Sequence, residues 1–157
     1  METEARNRPL LLSLKPRFAD AILNGSKTVE LRRQRVSAQA GTLIYIYASS
    51  PVMALVGTVD LREVVVANPA DIWERFQDQV GVTEREFRSY YESIETASAL
   101  LLKNPRIWSE SISLAQLRDL GSFHPPQSYR YFSKTDVSSI FSAMHGRQND
   151  RRASCHA

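Results

Sequence analysis

Four ionisable side chains fall close together in the segment NGSKTVELRR (24–33): Lys27, Glu30, Arg32 and Arg33. Each type has a chemistry. A lysine in a turn offers a compact positive charge to a phosphate or a carbonyl oxygen. If burial strips water from it, its pKa falls and it can act as a base. Glu30 and Arg32 are two apart, so they share one face of an extended strand and can pair. In a cavity, Arg32 would grip an anion or a base edge, while Glu30 would orient the ligand or take a proton. On an open surface the same pair is worth about 0–1 kcal/mol. Arg33 and Arg35 suit phosphate contacts that weaken with salt. The alternative is an exposed strand edge defended by charge.

Other candidates are less pointed. Tyr45 and Tyr47 share a strand face and could stack on bases, although aromatic residues in strands more often pack in cores. Ser49 and Ser50 precede Pro51, where a hydroxyl could reach a cleft mouth or only stabilise a turn. His124 has no visible partner for general-base work. His124, His145 and His156 are scattered, and Cys155-His156 lacks a second ligand pair at zinc-like spacing, so no metal site is expected. No P-loop or dinucleotide fingerprint occurs, and no cofactor is expected.

These residues need elements to hold them. LLLSL (10–14) reads as a buried strand. Pro16 suits the first turn of a helix with Phe18, Ala21 and Ile22 on one face, and Asn24-Gly25 ends it. Residues 27–33 alternate as a strand, with Val29 and Leu31 as the natural inward pair and Glu30 and Arg32 outside, under a helical insert. TLIYIYAS (42–49) and MALVGTVDLREVVV (53–66) read as further strands, with Gly57 marking a bulge or close backbone approach. Asn68-Pro69 opens one helix, and the capping pair Thr83/Glu86 opens another. Residues 97–102 form the next strand, resumed at 106–108. Ser113 with Gln116 caps a short helix that Gly121 ends. HGRQNDRRASCHA (145–157) contains no large aliphatic or aromatic side chain and is expected to be disordered. Strands with few crossover helices point to a small mixed barrel rather than a doubly wound sheet.

The 157 residues suit one domain, and 43% hydrophobic content supports a core at that size. Twenty Lys+Arg against 17 Asp+Glu give a formal charge of +3, which permits a nucleic-acid partner without demanding one. No apolar run approaches the roughly 18 residues of a membrane helix, and METEARNRP lacks a signal-peptide core. Cytoplasm is the expected location, with no membrane partner.

The element order, with three quoted segments, resembles the activating signal cointegrator homology (ASCH) domain, a PUA-like β-barrel family known for RNA binding. The segments are LLLSLKPRFADAILNGSKTVELRR, IYASSPVMALVGTVDL and HPPQSYRYFS. The first contains the family's Gly-x-Lys-Thr turn at Gly25, Ser26, Lys27 and Thr28. The resemblance implies an α+β class: a small mixed PUA-like barrel over residues 9–133, with helices on one side and a helical insert at 68–95. A flexible N-terminus (1–8) and a mostly disordered extension (134–157) would flank it. The implied partner is RNA or a modified nucleoside or nucleotide. Lys27, Thr28, Arg32, Arg33, Tyr47 and Ser49 are the candidate binding residues. The alternative is a hydrolase in the same cleft, with Lys27 and Glu30 as the working pair. One bacterial branch resembles an N4-acetylcytidine amidohydrolase, and another member is reported as a ribonuclease. In the amidohydrolase branch a threonine nucleophile follows the turn lysine by three residues. Here that position is Glu30, a departure from the pattern.

Overall fold

The computed structural model describes residues 8–154, with side chains to residue 146. Most of the expected flexible N-terminus, and the terminal Cys155 and His156, lie outside the described residues. The elements are β1 (Leu10–Leu14), α1 (Pro16–Leu23), β2 (Val29–Arg32), β3 (Leu43–Ala48), β4 (Ala54–Ala67), α2 (Pro69–Phe76), α3 (Glu84–Tyr90), β5 (Ala97–Ser113), α4 (Leu114–Asp119), β6 (Tyr129–Tyr131) and α5 (Lys134–Ser154).

The strands form one curled sheet in the order β2-β5-β4-β3-β1-β6. β1 runs parallel to β3, and the other pairings are antiparallel. The barrel is therefore a half-barrel: β2 ends the ladder on one side, and the short β6, beside β1, ends it on the other. Side chains bridge the open seam. Arg32 of β2 donates to the Ser13 carbonyl of β1 at 3.4 Å and to Ser128 Oγ, just before β6, at 2.9 Å.

β5 is one ribbon rather than two pieces. Asn104-Pro105 sits where its register against β4 shifts, and Asn104 has φ +52°. The bulge absorbs the proline that would otherwise interrupt the ladder. Gly57 is the expected close approach. A Cβ there would lie 2.3 Å from the Arg106 carbonyl oxygen and 2.8 Å from Leu23 of α1.

Three buried clusters follow from this curl. The first fills the concave side, where Ala19, Ile22 and Leu23 of α1 pack against Leu10, Leu12, Ile44, Ile46, Leu100 and Leu102. Side chains of this size contribute about 1.5–3 kcal/mol each when fully buried. The second packs α2 and α3 onto the convex face through Ile72, Phe76, Phe87 and Tyr91. The third joins Leu11, Tyr47 and Leu55 to Leu114, Leu117, Phe123 and Ile140.

The second cluster reverses one expectation. Val29 and Leu31 point into the insert, beside Leu101 and Ala99, their partners in the ladder. Glu30 lies opposite Leu100, on the concave side. All four residues of β2 are buried. Alternation separates two faces but cannot say which is inner when both are covered. The C-terminal extension also differs from expectation, forming helix α5 where disorder was expected. Ser133 and Asp136 cap its first turn reciprocally, and Ile140 anchors it in the third cluster. The disorder expectation came from residues 145–157, and the anchoring lies before them.

Candidate functional site

α1 ends at Asn24 and Gly25, whose φ is +85°. The chain turns there, with the Ser26 amide donating to Asn24 Oδ1 at 2.8 Å and the Lys27 amide to the Ala21 carbonyl at 3.0 Å. Next, the amides of Thr28 and Val29 both donate to the Gln79 carbonyl at 3.1 Å. The segment after α2 therefore lies against the turn. Gly81, with φ +66°, lets it close over the lysine stem, since a Cβ there would sit 3.2 Å from Lys27 Cδ.

Lys27 is 2% exposed. Its Nζ donates to the Val29 carbonyl at 2.9 Å and to the Val80 carbonyl. Its third direction faces Glu30 Oε2 at 3.4 Å. An ammonium has three N–H bonds, so none is left for a phosphate unless Glu30 yields one. Burial pulls the Lys27 pKa down. Glu30 opposes that shift, while Arg32 and Arg17 add to it. Lys27 thus holds the carboxylate and the 79–81 segment in place.

Glu30 lies between two cations, with Arg32 Nε 3.6 Å from Oε1. Both distances are longer than the roughly 2.7–2.9 Å of a charge-assisted hydrogen bond. Glu30 Oε2 and Arg32 Nε are both buried without a hydrogen-bond partner. Desolvated charges held this loosely are costly. The arrangement can bind a ligand edge that carries both donor and acceptor, or relay a proton through the carboxylate.

These residues line a cavity of about 700 Å³ along the seam. Five basic side chains (Lys15, Arg17, Lys27, Arg32 and Arg33) face two carboxylates (Glu30 and Glu86) there. Arg33 donates to the Tyr90 carbonyl at 2.7 Å, and its guanidinium lies 4.4 Å from the Tyr90 ring. The hydroxyls of Tyr90 and Tyr91 donate to the Leu31 and Arg32 carbonyls at 3.2 Å. Burial pushes both phenols above their ordinary pKa, so they remain donors. Arg17 of α1 pairs with Glu86 of α3 and ties the two helices together.

The structure brings Lys27, Glu30, Arg32 and Arg33 together. It does not bring in Thr28, Tyr47 or Ser49. Thr28 Oγ1 bonds Gln79 Oε1 at 3.2 Å and does not line the cavity. Tyr47, 3% exposed, packs in the third cluster near Phe123 and is unavailable for stacking. The Ser49 amide donates to the Leu14 carbonyl at 2.8 Å, and its side chain is no part of the cavity wall. Arg35 and His124 do not line it either. Phe18, Tyr90, Ser13 and Ser128 do, and sequence reasoning assigned none of them. The one available signal was that Ser128 lies inside HPPQSYRYFS. Among the described residues no cluster of metal-ligating side chains occurs. No described helix is long and apolar enough to cross a membrane.

Comparison with known proteins agrees with this architecture. Residues 10–127 match the family model described as a domain of unknown function, DUF365. An ASCH domain-containing ribonuclease of Zymomonas mobilis is 34% identical over 133 residues, covering 84% of this chain and 89% of that protein. The crystal structure of ASCH from Zymomonas mobilis superposes with a TM-score of 0.80 at 33% identity, over 87% of this chain and 95% of that one. A large ribosomal subunit protein uL22 of Ureaplasma parvum is 24% identical over 113 residues, 68% of this chain but 36% of that protein. The fold and these matches define a PUA-like half-barrel class. Within it, the chain belongs to the ASCH domain family and to the DUF365 group.

Proposed function

We propose that the seam cleft binds single-stranded RNA and cleaves it. The observation that carries this reading is the buried Lys27–Glu30–Arg32 array in the wall of a cleft whose rim is basic. Lys15, Arg17 and Arg33 supply the phosphate attraction, which is independent of base sequence. Glu30 accepts the proton of a ribose 2′-hydroxyl as that oxygen attacks the adjacent phosphorus; the P–O5′ bond breaks, and the departing 5′-oxygen takes a proton from water, leaving a 2′,3′-cyclic phosphate and a 5′-hydroxyl. Arg32 stabilises the charge that builds on the phosphoryl oxygens. The ribonuclease name of the Zymomonas relative supports the same reaction class. An amidohydrolase acting on an acylated cytidine is the lesser reading, because position 30 carries a carboxylate where that branch uses a hydroxyl.

The test uses a labelled single-stranded RNA and the DNA of the same sequence. The account expects both to bind with strong salt dependence and only the RNA to be cut, since DNA lacks the attacking oxygen. Absence of RNA binding at low salt, or equal cutting of the DNA, would overturn it.

A further inference from the structure

The turn that ends α1 carries a chemistry of its own. Asn24 is followed by Gly25, and both are exposed, as is Ser26. In an Asn-Gly pair the glycine amide nitrogen can attack the carboxamide carbon of the asparagine, because no side chain on the glycine shields it. Here nothing lies within 4 Å of where a Gly25 Cβ would stand, so the approach is open. The Ser26 amide donates to Asn24 Oδ1 at 2.8 Å. That bond polarises the carboxamide and stabilises the oxyanion formed on attack, as an oxyanion-hole donor does. Asn24 holds φ −85° and ψ −5°, so the ring closes only after rotation about its Cα–C bond. That rotation breaks the bond from the Gly25 amide to the Ile22 carbonyl, which is long at 3.2 Å and lies at a helix end, where local opening costs least.

We infer that Asn24-Gly25 is a self-modification site whose product lengthens the main chain beside Lys27. The Gly25 nitrogen bonds to Asn24 Cγ, the Cγ–Nδ2 bond breaks, and the former amide proton of Gly25 leaves with the amino group as ammonia. Water then opens the cyclic imide. Opening at Cγ gives aspartate. Opening at the main-chain carbonyl carbon gives isoaspartate, whose main chain runs through Cβ and Cγ and is one methylene longer. The turn has no slack for that methylene. The Lys27 amide and Ser26 Oγ both donate to the Ala21 carbonyl, at 3.0 and 3.2 Å, while Lys27 Nζ is held by the Val29 and Val80 carbonyls. A longer link also carries the carboxylate away from the Ser26 amide. The isoaspartate form therefore uncouples Lys27 from α1, and with it the 79–81 segment. Neither step depends on what the cleft binds.

The test incubates the full chain in mildly alkaline buffer and follows each asparagine by peptide mass mapping. Protein isoaspartyl methyltransferase with labelled S-adenosylmethionine reports the isoaspartate. Asn24 is expected to convert at least about tenfold faster than Asn149, which precedes the larger Asp150. Asn68 and Asn104 precede prolines, which have no amide N–H to lose, and should stay intact. The thermal midpoint of the wild type should fall as isoaspartate accumulates. Asn24→Gln, which would have to close a larger ring, should hold its midpoint through the same incubation. Asn24→Asp carries the new charge without the extra methylene and should start close to wild type. Conversion of Asn24 no faster than that of Asn149 would overturn the site. Isoaspartate at position 24 with an unchanged midpoint would overturn the uncoupling of Lys27. So would an Asn24→Asp protein that starts as low as the aged wild type, because charge would then be the cause, or a midpoint loss that Asn24→Gln shares.

Discussion

Among the described residues two carboxylates are buried, and they are treated in opposite ways. Asp136 is 2% exposed, and its oxygens are fully engaged. Arg130 donates to both at 2.6 and 3.0 Å, and the amide and hydroxyl of Ser133 donate to Oδ2 at 2.7 and 2.8 Å. Glu30 is 7% exposed, and its nearest cations stop at 3.4 and 3.6 Å. Burial alone would raise the pKa of Asp136, but the Arg130 and Ser133 donors outweigh it and hold the carboxyl below its ordinary value. Asp136 fastens the start of α5 to the strand region that carries Arg130. Glu30 fastens nothing comparably. A buried charge with all its bonds made is a structural fastening, whereas one with slack distances in a cleft wall is, on the proposed function, left for a ligand.

The contrast can be broken at several points. Arg32→Gln should lower the RNA cleavage rate by about 100-fold or more, since it removes the cation nearest the transferring phosphoryl group. A rate within twofold of wild type would remove Arg32 from the reaction. Asp136→Asn should cost about 2 kcal/mol of stability in denaturant unfolding, by losing charge-assisted bonds, with the cleavage rate of the folded protein unchanged. The same residue gives a pH prediction. Its folded pKa lies below 3.8, so its stabilisation is complete above that pH and is lost as pH falls through the folded value. Wild type should therefore lose its stability advantage over Asp136→Asn in acid, and a constant gap down to low pH would contradict this. Arg33→Ala and Arg17→Ala should each weaken RNA binding a few-fold and lower the salt slope by about one, a change that titration at several salt concentrations would read. The smallest effect belongs to the surface pair Arg106–Asp60, at 2.6 Å with Arg106 side-chain exposure of 46%. Arg106→Gln should change stability by less than about 1 kcal/mol and leave RNA binding intact.

Much of the scaffold was legible in the chain because its cues are local. Pro16, Asn24-Gly25, Asn68-Pro69 and the Thr83/Glu86 pair mark helix ends by backbone chemistry that acts within a turn. The crowding of Lys27, Glu30, Arg32 and Arg33 was equally visible. What sequence could not give depends on distance along the chain. Ser128 meets Arg32 across 96 residues, and Tyr90 reaches the Leu31 carbonyl across 59. Neither partner carries a local signature. The face of β2 was misassigned because the insert covers one side as thoroughly as α1 and the sheet cover the other. Tyr47 was a reasonable stacking candidate by type, but the third cluster claimed it for packing. In the C-terminal extension, composition after residue 144 concealed an anchor that lies at Ser133, Asp136 and Ile140.

The central claim is that the loosely held carboxylate of Glu30 serves function rather than stability. Its most direct test is Glu30→Gln, with RNA cleavage rate and thermal midpoint measured on the same preparation. The account predicts a rate loss of at least about 100-fold, with a midpoint close to that of wild type and the protein still binding RNA. A rate that survives, or a midpoint that collapses as Asp136→Asn should make it do, would contradict the account and make Glu30 a structural residue like its counterpart.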